Sequence, residues 1–310
     1  MVDECRKAGV FTEENVAFME KVLAVSGLGE RTALSKGILR LRQGVTKAKG
    51  YQECLEESDT ILMDCVENVL RKTNITADQV DIVIVSCSCF APTPSMAARV
   101  VNRFRMREDV LTYNLSGMGC SSSLICVDMV KHLLQAMPNK LALVLNHENI
   151  TSCFYLGDER PYLLVNCLFR LGGAAALMSN RPVDRAMAKY DLKHTVRARA
   201  LTDPSYIPRF ATAFEHFLIH TGGRGVLDEL EKKLQLDQKL MVPSRDVLHR
   251  FGNLSAASTW YILSHIEHYG TMKKGDRIFQ LGFGGGFKAN SAAWVARRNV
   301  TQSHTCWQDE

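Results

Sequence analysis

Residues 109–137 read DVLTYNLSGMGCSSSLICVDMVKHLLQAM, and this stretch decides how the rest of the sequence is interpreted. Residues 109–117 predict a strand, the glycines at 117 and 119 a tight turn, and residues 121–137 a helix. A strand that runs through a glycine turn into a helix is one step of a mostly parallel α/β sheet. We therefore expect further steps of this kind on both sides of it.

The flanking sequence supplies such steps. The predicted strands cover residues 80–88, 141–150, 172–180, 189–200, 276–284 and 291–298, and the predicted helices cover residues 13–25, 54–72, 96–105, 225–236, 245–250 and 255–269. Two halves of similar α/β content meet near residue 185. We expect a domain at 1–185 and a second at 186–310.

Composition excludes several classes of protein. The chain has 310 residues, 46% of them hydrophobic and 23% charged, which are ordinary values for a compact soluble protein. The net charge of +5 is spread along the chain and gives no support to nucleic-acid binding. The longest apolar runs, at 141–145 and 172–178, are far shorter than the roughly 18 residues of a membrane helix, so we expect no transmembrane segment. The 10 cysteines show no regular framework and predict reduced thiols.

Cys120 is the candidate nucleophile. It follows a strand, lies beside Gly117 and Gly119, and begins a helix. Backbone N–H groups and the positive end of the helix dipole favour a thiolate at such a position, and small neighbours admit a bulky acyl group. A buried structural cysteine at a tight turn is the alternative.

The second half of the chain offers partners for a cysteine nucleophile. His216 and His220 lie on a predicted strand that ends in a glycine pair, and His249 and Asn253 lie just before a predicted helix. Acyl transfer by cysteine needs a base and donors for developing negative charge, which these residue types supply. Ordinary buried histidines are the alternative for His216 and His249. Zinc binding by the 216/220 pair is disfavoured because further ligands at short spacing are missing.

The sequence GFGGGF at 282–287 contains Gly284 and Gly285. It lacks the Lys-Ser/Thr of a P-loop and the early position of a dinucleotide fingerprint, so neither nucleotide site is expected. A glycine turn with inward N–H groups suits an oxyanion hole. A plain tight turn is the alternative.

Several long blocks of sequence resemble the plant and algal 3-ketoacyl-CoA synthases, the condensing enzymes of very-long-chain fatty acid elongation. The resemblance runs from about residue 11 to residue 297 and includes NLSGMGCSSS, LALVLNHENIT, FEHFLIHTGGRGVLDELEKKLQL, LHRFGNLSAASTWYILSHIE and MKKGDRIFQLGFGGGFKANSAAW. It implies a thiolase-like five-layer αβαβα fold of two duplicated halves. It also implies a homodimer, possible other elongase subunits as partners, and a place at the cytosolic face of the endoplasmic reticulum membrane.

The resemblance also assigns roles to individual residues. Cys120 becomes the acyl-accepting nucleophile, and His220 and Asn253 complete the triad. His216 and His249 match further histidines of the family pattern. Acyl-CoA and malonyl-CoA become the substrates, the N–H groups of Cys120 and Gly285 hold the oxyanion, and no metal or redox cofactor is needed.

Three departures from the family pattern are visible. Arg199 stands where the family has a histidine, Ala289 stands where cysteine is common, and the chain starts almost at the FTEEN segment (11–15). We place the family's first strand inside the first sheet, so its absence here predicts an interior gap and low stability. Ketoacyl synthase III, a type III polyketide synthase and a catalytically silent elongase partner are the rival interpretations.

Overall fold

The computed structural model describes residues 1–198, 209–284 and 288–308, which form two four-stranded sheets with helices on both faces. The strands are β1 (Ile82–Ser86), β2 (Leu111–Leu115), β3 (Leu141–His147), β4 (Gly173–Ser179), β5 (Tyr190–Ala198), β6 (His216–Ile219), β7 (Arg277–Gly284) and β8 (Lys288–Ala296). The helices are α1 (Val2–Ala8), α2 (Glu13–Val25), α3 (Lys36–Leu39), α4 (Val45–Lys49), α5 (Tyr51–Thr73), α6 (Met96–Phe104), α7 (Ser122–Ala136), α8 (Ile150–Cys153), α9 (Arg160–Leu168), α10 (Arg224–Lys233), α11 (Gln238–Phe251) and α12 (Ser258–His268).

The first sheet has the order β2-β1-β3-β4. β1 is parallel to both β2 and β3, and β4 is antiparallel to β3. Every interior strand of this sheet is therefore bonded on both sides within the described residues. The expected interior gap is wrong, because β1 pairs directly with β3, from Ile82 opposite Ala142 to Ser86 opposite Asn146. The prediction of low stability rested on that gap, so it no longer has support.

The second sheet has the order β5-β8-β7-β6. β6 and β7 are parallel, whereas β8 runs antiparallel to both of its neighbours. Both sheets thus combine parallel strands with an antiparallel neighbour, which is β4 beside β3 in the first sheet and β8 beside β7 in the second. The expected α/β fold of two similar halves is confirmed. The prediction of mostly parallel strands holds for the first sheet but is wrong for the second, because β8 runs antiparallel to both β5 and β7.

Helices cover both faces of each sheet, because successive side chains along a strand point to opposite faces and both sets are apolar. Val83, Val85 and Leu143 pack with helices α5 and α6, while Ile84 and Val144 pack against α7. In the second sheet one side faces α12 and the other faces α10 and α11. Leu124 and Val127 of α7 meet Ala292 of β8, so α7 lies between the sheets. The result is five layers of alternating helix and sheet.

Most predicted elements are present, and the differences have local causes. The predicted helix at 54–72 is α5, and the strand at 80–88 is β1. Pro243 lies inside α11 rather than before it, so that helix begins at Gln238 and not near residue 245. Helix α1 was not predicted because its charged sequence VDECRKA buries only Cys5.

Two cysteines contradict the expectation of reduced thiols. Cys89 and Cys153 form a disulfide with a Cα–Cα distance of 6.0 Å, although 64 residues separate them in the sequence. Cys89 follows β1 and Cys153 ends α8, which follows β3, so the parallel pairing of β1 with β3 brings them together. The other eight cysteines are unbonded thiols.

Within residues 1–198, 209–284 and 288–308, no helix is both long and apolar enough to cross a membrane.

Candidate active site

Cys120 lies where the sequence placed it, at the start of a helix after a glycine turn. It occupies a short 3₁₀ turn, Gly119–Ser121, that leads directly into α7. Gly117 and Gly119 have φ angles of 69° and 67°, a left-handed conformation that glycine adopts without steric cost. The two glycines thus let the chain leave β2 and reverse into the helix with Cys120 at the junction.

Ser255 brings the region of Asn253 to the nucleophile. The Ser255 hydroxyl donates to the Cys120 thiol sulfur at 3.5 Å. The backbone N–H of Ser255 donates to Asn253 Oδ1 at 2.8 Å, which fixes the side-chain amide and turns its Nδ2 donor to the opposite side. Asn253 is 3% exposed, and its backbone bonds to Leu168 and Arg170 on both sides. Its position is therefore rigid.

His220 reaches the same place from β6. Its backbone N–H donates to Leu281 O of β7 at 3.0 Å. The next residue of β7, Gly282, lies so close to the nucleophile that a Cβ there would be 3.7 Å from Cys120 O. Thr221 Oγ1 also donates to Gly252 O at 3.1 Å, which ties the end of β6 to the residue before Asn253. Through these contacts, the backbone of His220 and the segment that carries Asn253 lie close to the turn that carries Cys120.

The resting site is electrically neutral at Cys120 and His220. Burial raises the pKa of the Cys120 thiol to about 11; the hydrogen bond from Ser255 lowers it, and the negative charge of Glu148 raises it. Burial also lowers the pKa of His220 to about 4. Stabilisation of a thiolate by the helix start was therefore the wrong expectation, because desolvation outweighs it. A neutral imidazole can accept a proton, which is the role that the sequence assigns to His220.

The glycine-rich turn approaches the nucleophile as expected, although only part of it is described. Gly284 ends β7, and a Cβ on it would lie 2.6 Å from Ser121 Oγ and 2.9 Å from Met118 O. Glycine at this position is what allows β7 to pack against the nucleophile turn. Gly285 lies outside the described residues, as does Arg199.

The other two predicted catalytic histidines lie elsewhere. His216 begins β6, and its Nε2 lies 2.8 Å from Asp276 Oδ2, within hydrogen-bond distance. Four strand residues place it about 13 Å from His220, too far for both to bind one zinc ion. His249 is exposed near the end of α11, where its backbone oxygen accepts from Gly29 N at 2.7 Å. The described contacts give both residues structural partners and do not join them to Cys120.

Three polar residues near Cys120, namely Ser255, Glu148 and Ser88, were not predicted from the sequence. Glu148 is buried, and its Oε2 accepts a hydrogen bond of 3.0 Å from Ser255 Oγ. Ser88 Oγ accepts a hydrogen bond of 2.8 Å from Gly119 N. Ser88 lies two residues after the end of β1, and Glu148 directly follows β3. Polar residues at the carboxyl ends of parallel strands are a recognisable signal of a site.

Family models match almost the whole chain. Residues 1–212 match the model described as FAE1/Type III polyketide synthase-like protein. Residues 211–296 match the C-terminal model of 3-oxoacyl-[acyl-carrier-protein] synthase III.

Solved structures share the fold at low sequence identity. A bacterial type III polyketide synthase, the 1,3,6,8-tetrahydroxynaphthalene synthase of Streptomyces coelicolor A3(2), superposes with a TM-score of 0.76 and 19% identity, covering 91% of this chain and 89% of that one. The C-terminal type III polyketide synthase domain of Steely1 from Dictyostelium gives a TM-score of 0.79 at 17% identity, covering 94% of this chain and 93% of that domain. At these identities the likeness shows the fold, which is thiolase-like.

Curated relatives are much more similar in sequence. The 3-ketoacyl-CoA synthase 2 of Arabidopsis thaliana is 40% identical over 372 residues, which covers 97% of this chain and 70% of that protein. The 3-ketoacyl-CoA synthase 11 of the same plant is 40% identical over 378 residues, covering 100% of this chain and 74% of that protein. Both alignments are longer than this chain, so each relative has internal residues that this chain lacks. Identity of this extent over nearly every residue establishes that the chain belongs to the 3-ketoacyl-CoA synthase family of condensing enzymes.

Proposed function

We propose that this protein condenses a long-chain acyl-CoA with malonyl-CoA and releases 3-ketoacyl-CoA, CO₂ and free CoA. This decarboxylative Claisen condensation is the first step of very-long-chain fatty acid elongation. The observation that carries the proposal is that Ser255 links Cys120 to Asn253, while the β7 strand that pairs with His220 packs against the nucleophile turn. Membership of the 3-ketoacyl-CoA synthase family supports the choice of substrates.

In the first half-reaction the Cys120 thiol accepts the acyl group. His220, neutral at physiological pH, takes the thiol proton as the sulfur attacks the thioester carbon. The N–H groups of Cys120 and Gly285 hold the oxyanion of the tetrahedral intermediate. CoA leaves as the carbon–sulfur bond breaks, and it takes the proton from His220.

In the second half-reaction malonyl-CoA becomes the carbon nucleophile. Its thioester oxygen accepts hydrogen bonds from His220 and from Asn253 Nδ2, which stabilise the enolate that forms as CO₂ departs. The enolate carbon attacks the acyl carbon on Cys120 and a carbon–carbon bond forms. The bond from that carbon to the Cys120 sulfur breaks, and the thiolate takes a proton from solvent. The two CoA thioesters supply every reacting group, so the proposed cycle uses no metal or redox cofactor.

Intact-mass measurement after incubation with a long-chain acyl-CoA tests the proposal. We expect the wild-type protein to gain one acyl mass and Cys120→Ala to gain none, because an alanine methyl group cannot form a thioester. Cys126→Ala is the matched control, since Cys126 is a buried thiol of α7, the helix that follows Cys120. Acyl uptake by the Cys120→Ala variant at the wild-type rate would show that the nucleophile is another residue.

The choice of extender separates the rival condensing enzymes. The C-terminal family model derives from a synthase that acts with acyl-carrier protein, which keeps that reaction as the second candidate. Malonyl-CoA should support condensation, and malonyl-carrier protein should not. Release of cyclised products after several extensions would instead indicate type III polyketide chemistry, and absence of acyl loading would indicate a silent partner subunit.

We further propose that the protein is a homodimer at the cytosolic face of the endoplasmic reticulum membrane. β2 is an edge strand of the first sheet with exposed side chains, and Leu111 on it is 39% exposed. Pairing of two β2 edges would cover both exposed strands. Sedimentation equilibrium should give twice the chain mass, and cell fractionation should place the full protein with endoplasmic reticulum markers.

A further inference from the structure

A disulfide that the proposed reaction does not use lies beside the nucleophile. Cys89 is exposed and Cys153 is half-buried, so solvent reaches the pair from the surface. We propose that Cys89 and Cys153 form a redox-exchange site whose reaction partner is a dithiol, and that the intact disulfide holds the nucleophile turn in its reactive position. The proposal rests on the proposed function only in that Cys120 accepts the acyl group.

The residue next to Cys89 holds the nucleophile turn directly. Ser88 Oγ accepts from Gly119 N at 2.8 Å, and Ser88 O accepts from Gly117 N at 3.3 Å. Gly117 and Gly119 are the glycines whose conformation places Cys120. Because the disulfide joins Cys89 to the end of α8, it restrains Ser88 and, through it, the turn.

A second set of contacts reaches the Cys120 sulfur through Glu148. Glu148 Oε1 accepts from Ser88 N at 3.0 Å and from Cys89 N at 2.9 Å. Its Oε2 accepts from Ser255 Oγ at 3.0 Å, and the same hydroxyl lies 3.5 Å from Cys120 Sγ. The single hydroxyl hydrogen of Ser255 is shared between Glu148 Oε2 and Cys120 Sγ. A shift of Glu148 therefore alters the hydrogen bond that the Cys120 sulfur receives. The loop at Cys89 therefore affects the nucleophile from two sides.

Ser255 is held under strain at this point, which indicates that its position is imposed by its surroundings. It has a φ angle of 53°, an uncommon value for a residue with a side chain. The bond from Ser255 N to Asn253 Oδ1 and the contact with Glu148 oppose its relaxation. Loosening Glu148 removes one of these two restraints.

A metal site is the alternative use of the same residues. Ligand atoms of Cys89, Glu148 and Cys153 lie within 4.8 Å of one another, and two thiolates with a carboxylate suit zinc. The sulfurs are bonded to each other, however, and both Glu148 oxygens already accept hydrogen bonds. These observations favour the disulfide.

The exchange follows ordinary thiol–disulfide chemistry. A thiolate of the dithiol attacks the exposed Cys89 sulfur, the bond to Cys153 breaks, and Cys153 leaves as a thiolate that takes a proton. The second thiol of the reductant then attacks the mixed disulfide, releases Cys89 and closes its own disulfide. Two electrons and two protons pass from the dithiol to the two cysteines.

The test compares the oxidised and reduced forms of the wild-type protein, so it does not depend on the folding of a variant. Tris(2-carboxyethyl)phosphine reduces the disulfide without adding a thiol that would react with acyl-CoA. After reduction we expect acyl loading of Cys120 to slow and amide hydrogen exchange in a peptide covering 117–120 to accelerate, each by about tenfold. Non-reducing peptide mapping should recover the 89–153 crosslink before reduction.

Variants complete the experiment. Cys89→Ser and Cys153→Ser should load slowly with or without the phosphine, whereas Cys306→Ser, which removes a half-buried unbonded thiol, should respond to reduction as the wild type does. Unchanged exchange at 117–120 after confirmed reduction would overturn the inference. Free thiols at both positions without reductant, or zinc bound to them stoichiometrically, would overturn it as well. Faster exchange without acyl loading in either form would support the inference and refute the proposed function.

Discussion

Cys120, the proposed nucleophile, is a protonated thiol at neutral pH. Burial is the dominant cause of its raised pKa of about 11, and the Glu148 charge acts in the same direction. We expect such a thiol to react only when its proton is removed during the attack, and we propose that the neutral His220 removes it. A preformed thiolate–imidazolium pair is therefore not expected.

The pH dependence of alkylation tests this protonation state. Because the thiolate is the reactive form, alkylation of Cys120 by iodoacetamide should rise about tenfold per pH unit from pH 7 to pH 9. A short peptide with one free cysteine should instead begin to level near its pKa of about 8.5. Peptide mass spectrometry resolves Cys120 from the other thiols. A rate at Cys120 that levels below pH 8 would show a stabilised thiolate.

Asn253 should matter for only one half-reaction. We expect Asn253→Ala to load the acyl group normally and to condense about 100-fold more slowly, because one donor to the enolate oxygen is lost. Single-turnover experiments with separate acyl loading and malonyl-CoA addition measure the two steps. Ser264→Ala, on α12 and away from the described site contacts, controls for loss of a polar group. Equal slowing of both half-reactions would mean that Asn253 has a structural role.

At the scale of elements, β7 and the nucleophile turn fit because Gly284 has no side chain. Its φ angle is not in the left-handed region, so a substitution there acts by contact alone. The added carbon would meet Met118 O at 2.9 Å, and this backbone atom cannot rotate away as a side chain could. The strand and the turn would have to separate.

We expect Gly284→Ala to slow acyl loading at least tenfold, since a displacement of about 1 Å at a catalytic group can cost roughly 100-fold. Gly225→Ala is the matched control, because a Cβ at Gly225 of α10 meets nothing within 4 Å. The measurements are loading rate by intact mass and helix content by circular dichroism. Normal loading by Gly284→Ala would show that β7 does not constrain the turn.

At the scale of the whole molecule, the five-layer arrangement buries two imidazoles completely. Burial lowers the pKa of both His147 and His220 to about 4, while an unfolded histidine titrates near 6.5. Between these values the unfolded chain binds protons that the native protein does not. Stability is therefore lost as the pH falls from 6.5 towards 4, by at most about 1.4 kcal/mol per pH unit for each histidine.

Urea unfolding at pH 7, 6 and 5 measures this loss. We expect His220→Gln to lose less stability between pH 7 and pH 5 than the wild type, because glutamine does not titrate. His132→Gln is the control for removal of an exposed imidazole. A pH slope in His220→Gln equal to that of the wild type would show that His220 takes up protons in the native protein as it does in the unfolded chain.

Local sequence determined much of this protein. Strand–turn–helix periodicity located β1, β2, α5 and α7, since alternation and helical spacing depend only on near neighbours in the chain. The same local pattern placed Cys120 at a glycine-flanked helix start, and long sequence blocks identified the family.

The tertiary structure decided what lies around Cys120. Ser255 reaches Cys120 across 135 residues, and Cys89 bonds to Cys153 across 64, because separate strands and helices meet at one edge of the layers. The distance of His216 from the site was likewise set by which end of β6 faces it. The pKa of Cys120 depends on burial by all of these layers, and desolvation is a property of the packed molecule that no local pattern contains.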